Sequence, residues 1–347
     1  MKRKSKKKDK RILKRTILFI LLDLFAIAGF IMMYGPWNKI RNLYVTTAMT
    51  TFEHQWLAKV FYSDKTIEKI VNSNYFTTLK ENANTDDIVI DTKEKKNYRN
   101  KYEKELLTRD AGNDLYKVLE IKIGTSTAHL VAIYKPEKVQ LISTKKFNIG
   151  TYGERILTMC ERYGGVVCIN AGGFIDNGMG SDIPIGYVIK DHETIWTPTG
   201  ENEATYRNNI IGITDDGKLK LMTNVTATEA IKSGVKDGLF FNPFLIVNGK
   251  SIKIVGDPWG LAPRMAIAQR KDGVMMFLSV DGENYIDGAS LQDVVKTLKK
   301  YGAYNAANLD GGTSATMVVN GKLVNNPAGG AKRTNGRYVV TGWGLIP

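Results

Sequence analysis

From about Leu115 to its end the sequence predicts an α/β (mixed α+β) domain, a mixed central sheet with helices on its faces. Three observations predict it. Short apolar runs recur throughout, among them VLEIKIG, HLVAIY, GVVCIN, NIIGIT, VMMFLSV and NAANLD, and their lengths suit strands. Asp216-Gly217, Asn248-Gly249, Asp272-Gly273 and Asn320-Gly321 stand between such runs; dipeptides of this kind supply the positive φ of a hairpin turn. Helical patterns are fewer. The clearest has Ser290 as N-cap, Asp293 three residues on, a stripe of Leu291, Val294, Val295 and Leu298, and Gly302 as its stop. Another is expected over Tyr152 to Tyr163, closed by Gly164-Gly165. Strands with few interposed helices make residues 115–347 one domain.

The chain before it is organised differently. Residues 1–15 hold ten Lys or Arg and one Asp, so +9 of the +14 net charge lies in this tail. The remaining +5 gives no nucleic-acid footprint on the folded part. Thr16 to Tyr34 follows, nineteen residues in which Asp23 alone is charged. Its eleven Leu, Ile and Phe favour insertion into a bilayer by about 3 to 7 kcal/mol, against about 2.5 to 3.5 for a central Asp. Ala26-Ile27-Ala28 has the form of a cleavage site, but the apolar run continues past it, so residues 16–36 are expected to form an uncleaved transmembrane signal-anchor. The basic tail then lies in the cytoplasm, and everything after Pro36 outside, on a single-pass protein of the cell membrane.

Residues 37–114 are polar and poor in Gly, and are expected to be a helical stalk or lead-in. Phe52, Trp56, Leu57, Val60 and Phe61 recur at helical spacing, and Ser63 or Asp64 could cap a second helix carrying Ile67, Ile70 and Val71. The same segment could instead pack onto the main domain. Cys160 and Cys168 read as two buried thiols more readily than as a disulfide. His54, His129 and His192 have no metal-ligand spacing.

Chemistry is expected where three apolar runs end alike. GVVCIN runs into Asn170-Ala171-Gly172-Gly173, VMMFLSV into Asp281-Gly282-Glu283, and NAANL into Asp310-Gly311-Gly312. If these ends lie on one side of the sheet, an amide and two carboxylates converge beside glycine turns that let a ligand approach closely. Arg264, just after Pro263 at the start of another strand, could clamp an oxyanion with two prongs.

CINAGGF, PRMAIAQ followed by LSVDGE, the run from ASLQDVV through NLDGGTSATMVVNGKLVNNP, and the closing RYVVTGWGL resemble the phosphodiester glycosidase family over roughly Leu115 to Pro347. The resemblance implies a hydrolase that cleaves a sugar, N-acetylglucosamine being one possibility, from a sugar-1-phosphodiester on a cell-surface or teichoic-acid-like polymer. It also implies site positions: Asn170, Arg264, Asp281, Asp310, Gly311, Gly312 and Ser314. Asp310 and Asp281 are expected to be catalytic, and Asn170, Arg264, Gly311, Gly312 and Ser314, together with Gly172, Gly173 and Arg337, to bind substrate or phosphate. Thr313 stands where the family often has a third glycine, and Ala268 where it frequently has Gly. Such a reaction needs the phosphate held, the anomeric carbon attacked from one face and the oxocarbenium-like transition state stabilised. Gly311 and Gly312 could offer N–H groups to phosphate oxygens, with Arg264 as the charged half of the clamp. One of Asp310 and Asp281 would act as nucleophile or base and the other on the sugar; Ser314 fits a phosphate hydrogen-bond donor better than a nucleophile. No cofactor is required. Two alternatives remain: a phosphodiesterase using a divalent cation on Asp281, Glu283 and Asp310, and a non-catalytic wall-polymer binder.

Overall fold

The computed structural model describes residues 2–50, 54–95, 97–176, 181–282, 287–329 and 335–347, and of these the side chains of 2–11, Met32, Ser181 and Asp182 lie outside the description. Phe52, Glu283 and Arg333 are therefore outside the described residues.

Where one mixed sheet was expected, three larger antiparallel sheets divide the work. The seven-stranded central sheet runs, edge to edge, Lys250–Ser251, Phe244–Val247, Ala303–Leu309, Arg264–Arg270, Met275–Val280, Ser126–Ile133 and Tyr116–Ile123. A five-stranded sheet has the order Lys322–Leu323, Met317–Val319, Val167–Asn170, Thr341–Leu345, Val139–Ser143. Another five-stranded sheet carries Asn208–Ile213 and Asp237–Leu239 at its centre. Neighbours in the central sheet all run antiparallel. Hairpins explain this: all four expected Asx-Gly dipeptides join antiparallel strands or lie between them, and Asn248, Gly249, Asn320 and Gly321 all have positive φ. One core fills the space between the sheets, with Val131, Ile267 and Phe277 from the first, Ile169 and Trp343 from the second, and Ile211 and Leu239 from the third.

Eight helices surround these sheets among the described residues: α1 (Lys2–Tyr34), α2 (Asn38–Met49), α3 (Gln55–Phe61), α4 (Asp64–Ser73), α5 (Lys101–Leu107), α6 (Ile156–Tyr163), α7 (Ala227–Lys232) and α8 (Leu291–Lys300). In α8 the expected capping box is present, and its stripe packs Leu291, Val294 and Leu298 on the outer face of the central sheet. Ser63 caps α4. Helix α6 stops at Gly164, which is left-handed at φ 68°.

The cysteines are a correction. Cys160 and Cys168 are joined in a disulfide, because the turn after Gly164 folds the next strand back beside α6. Gly165 makes that turn passable: a Cβ there would lie 2.6 Å from the Cys168 sulfur.

The membrane span expected over residues 16–36 is not found among the described residues, where no helix is long and apolar enough to cross a membrane.

Residues 74–114 wrap the central sheet instead of standing off it. Thr77 N–H donates to Lys253 C=O, Val89 N–H to Lys271 C=O and Asp91 N–H to Asp272 C=O. Leu106 and Leu107 of α5 enter the core beneath α8. Beside them the buried Glu103 carboxylate meets Arg99 at 2.9 Å and the buried Arg270 at 2.7 Å. Hydrogen bonding from Arg99, reinforced by Arg270, holds the Glu103 carboxyl at about 2. A depressed folded-state value gives stability that is present above pH 4.5 and lost as pH falls through about 2. Glu103→Gln is therefore expected to cost about 2 kcal/mol at pH 7, since it removes one of the two carboxylates on the buried Arg270 while the pair with Asp272 at 2.7 Å remains. Urea midpoints should show the gap from the parent closing below pH 4.5; a gap constant with pH would mean that lost packing, not charge, is responsible.

Candidate active site

Register alone brings three of the expected residues together. Arg264 pairs with Val280 and Met265 with Leu309, so Arg264 opens the strand lying between the ends of the two strands that Asp281 and Asp310 follow. With neighbouring strands about 4.8 Å apart, the backbones of Asp281 and Asp310 flank Arg264 at a separation of about 10 Å.

Asn170 joins them from the second sheet. Its side-chain amide donates to Asp310 C=O at 2.6 Å, and its carbonyl oxygen accepts from Thr316 N–H at 2.9 Å. One carboxamide thus staples both ends of the Asp310–Thr316 turn. The Asp310 N–H adds a bond of 2.9 Å to Ala171 C=O. Gly172 lies against Thr341, whose hydroxyl accepts its N–H at 3.1 Å, and a Cβ on Gly173 would press on the Phe241 ring at 3.3 Å.

The two glycines of the turn serve close approach. A Cβ on Gly311 would lie 2.5 Å from Pro263 C=O, while Gly312 is left-handed at φ 57° with open space where its side chain would be. The Gly312 N–H is already engaged by Pro263 C=O at 2.9 Å, so the phosphate donor expected there is occupied in this arrangement; the Gly311 N–H lies near enough to the Asp310 carboxylate to favour its charged form.

Asp310 is the chemically distinctive group. Burial raises its carboxyl to about 6, and the neighbouring Asp176 pushes the same way; the Ser314 hydroxyl, the Arg337 charge and the Gly311 N–H oppose them. Ser314 is buried with its hydroxyl on this carboxylate. Arg337 pairs with Asp176, donates to the Thr313 hydroxyl at 3.3 Å and lies over the Phe174 ring at 5.0 Å. Thr313, in the place of a glycine, thus supplies an anchor for this guanidinium. Ala268 is different: it is buried in the core toward α8, four residues along the strand from Arg264, and does not shape the site.

Arg264 is buried, and its Nε and Nη2 donate to the carbonyls of Ala289 at 2.9 Å, Trp259 at 2.9 Å and Gly260 at 2.8 Å. Burial lowers its pKa to about 10, with no carboxylate among the described residues to compensate it. A guanidinium without a counter-charge in such a place favours an anionic ligand.

Asp281 holds the loop next to the turn, accepting Asn326 N–H at 2.9 Å. Asn325 continues the link: its carbonyl oxygen accepts from Met317 N–H at 2.7 Å and its amide donates to Ala315 C=O at 2.9 Å. Asn325, Thr341, Asp176, Phe174 and Phe241 were not singled out from the sequence, although VNNP and VTGWGL lay in plain view. Among the described residues no group of three His, Cys, Asp or Glu could hold a metal ion.

The chain is similar in sequence and in fold to several known proteins. Residues 163–346 match the family described as phosphodiester glycosidase. A prophage-derived uncharacterised protein of Bacillus subtilis, YomE, is 32% identical over 192 residues, 53% of this chain and 29% of that protein. The N-acetylglucosamine-1-phosphodiester alpha-N-acetylglucosaminidase of Bos taurus is 38% identical over 68 residues, 20% of this chain and 13% of the enzyme. The chain thus spans less than a third of the length of the curated relatives it matches. The zebrafish N-acetylglucosamine-1-phosphodiester alpha-N-acetylglucosaminidase catalytic domain, auto-inhibited by its pro-peptide, superposes with a TM-score of 0.55 at 20% identity, covering 69% of this chain and 85% of that one. That likeness is one of fold.

Proposed function

Because this chain belongs to the phosphodiester glycosidase family, we propose that it is a hydrolase that cleaves the C–O bond between a sugar and the phosphate of a sugar-1-phosphodiester. The observation that carries the reading is the Asp310 carboxyl, raised by burial to about 6 with the Arg337 charge beside it, at the same strand ends where Arg264 lies buried with no compensating carboxylate among the described residues. Arg264 and Arg337 grip the phosphate and take up the charge that develops on the leaving oxygen. The Asp310 carboxylate accepts a proton from the attacking water, whose oxygen bonds to the anomeric carbon as the C–O bond breaks and the phosphomonoester departs with the electron pair. Asp281 and Asn170 set the position of the turn, and Ser314 orients the base.

Membrane tethering, with the catalytic part outside the cell, belongs to the same proposal. Leu18, Phe19, Ile20 and Leu21 of α1 are each more than half exposed, and at 3.6 residues per turn these four consecutive residues go round the helix, which suits lipid and no single protein partner. The disulfide favours an oxidising compartment. The substrate is then a glycosyl phosphate at the cell surface. Deleting Met1 to Pro36 is expected to leave a soluble, active protein; inactive material that still folds, by circular dichroism, would place part of the site in that segment.

A panel of sugar-1-phosphodiesters, read for free sugar, tests the activity. Release of sugar and phosphomonoester from at least one member is expected. Retention on polymer with no sugar released from any member would replace the enzyme by a binding protein.

A further inference from the structure

Resting on the reading of Arg264 as a phosphate clamp, we infer that Thr47 and Asn74, both outside the part of the chain matched by the family, are positioning residues for its guanidinium. Arg264 Nη2 has two acceptors, the carbonyls of Trp259 and Gly260. Both belong to the turn from Gly256 to Leu261, in which Gly256, Trp259 and Gly260 have φ of 66°, 67° and 51°. Left-handed backbone is unfavourable for a Trp, so a turn of this shape persists only where its surroundings impose it.

The N-terminal segment imposes it. The Thr47 hydroxyl on α2 accepts Leu261 N–H at 3.1 Å. Asn74, at the end of α4, accepts Asp257 N–H at 2.9 Å through its carbonyl oxygen, while its own NH2 donates to Ile70 C=O at 2.6 Å and so fixes which end of the amide faces the turn. Tyr75–Phe76 pairs with Ile254–Val255, and the Phe76 ring meets Trp259 edge-on at 5.2 Å. Contact with α2 is close: a Cβ on Gly260 would lie 2.4 Å from Thr47 Cα.

Thr47 and Asn74 are themselves buried, and the helices that carry them share a core of Val45, Ala48, Ala58, Tyr62, Ile67 and Ile70. A continuous path of packed groups and hydrogen bonds therefore runs from the α2–α4 bundle to the two carbonyls that aim Arg264. Loss of either side-chain acceptor frees the turn to relax, and the guanidinium loses its aim while keeping its charge.

The test uses the full chain, with inorganic phosphate as a competitive probe and a phosphodiester substrate. Thr47→Val keeps the side-chain shape and removes the acceptor; it is expected to weaken phosphate inhibition and kcat/KM about tenfold. Thr47→Ser should restore both, and Thr47→Val should cost nothing further in an Arg264→Ala background, since it acts only through that group. Asn74→Ala provides the same readings should Thr47→Val fail to fold. Parent-like phosphate inhibition in folded Thr47→Val or Asn74→Ala, with Arg264→Ala impaired, would overturn the inference alone. Unchanged phosphate inhibition in Arg264→Ala would overturn the clamp on which it rests.

Discussion

Asp310→Asn is expected to lower turnover on a sugar-1-phosphodiester by at least about 100-fold while the fold is kept. An amide is isosteric with the carboxyl and still accepts from Ser314 or Gly311, but it cannot take a proton from water, a function typically worth that much. In the parent, kcat/KM should rise with pH through an inflection near 6, where the carboxyl ionises; the variant should lose this inflection. Stability moves the opposite way. The folded value lies above the ordinary 3.8, so the contribution of this group to stability is complete below about pH 3.8 and is lost as pH rises through 6. The parent should therefore lose about 1 to 3 kcal/mol relative to Asp310→Asn between pH 4 and 7. Near-normal turnover in the variant would reduce Asp310 to a turn residue. Running the same substitution at Asp281 ranks the two: its expected effect is smaller, because its carboxylate is engaged by the Asn326 N–H.

Arg264→Ala should cost about 2 to 5 kcal/mol in kcat/KM on a phosphodiester. The guanidinium is buried without a compensating carboxylate among the described residues, so in the parent the substrate phosphate supplies the missing charge. A neutral aryl glycoside of the same sugar has no phosphate to lose. It should be a poor substrate for the parent and nearly indifferent to the change. Arg264→Lys should recover only part of the loss, because an ammonium cannot serve Ala289, Trp259 and Gly260 in the same planar fork. Equal losses on both substrates would make Arg264 a residue that holds the sheet or the sugar, leaving Arg337 as the remaining described clamp.

What the sequence disclosed was local. Ser290 with Asp293 marked α8, Gly164 marked the end of α6, and the Asx-Gly dipeptides marked their turns, because capping and positive φ act within a few residues. The convergence of Arg264, Asp281 and Asp310 could also be anticipated, since each stands at the end of an apolar run beside a turn signal. Pairings across the chain could not. Asn170 reaches Asp310 over 140 positions and Thr47 reaches Leu261 over 214, and neither spacing leaves a periodic trace. The division into three sheets was hidden for a related reason: buried strands of each have the same apolar texture, and only strand order separates them. The disulfide depended on how tightly the chain turned at Gly164-Gly165, which two cysteines eight positions apart do not fix.

The most direct test of C–O cleavage is to run the reaction on a sugar-1-phosphodiester in oxygen-18 water and locate the label by mass spectrometry. Attack at the anomeric carbon predicts oxygen-18 in the released sugar and none in the phosphomonoester. Label in the phosphate would show that the P–O bond breaks, and would make the protein a phosphodiesterase.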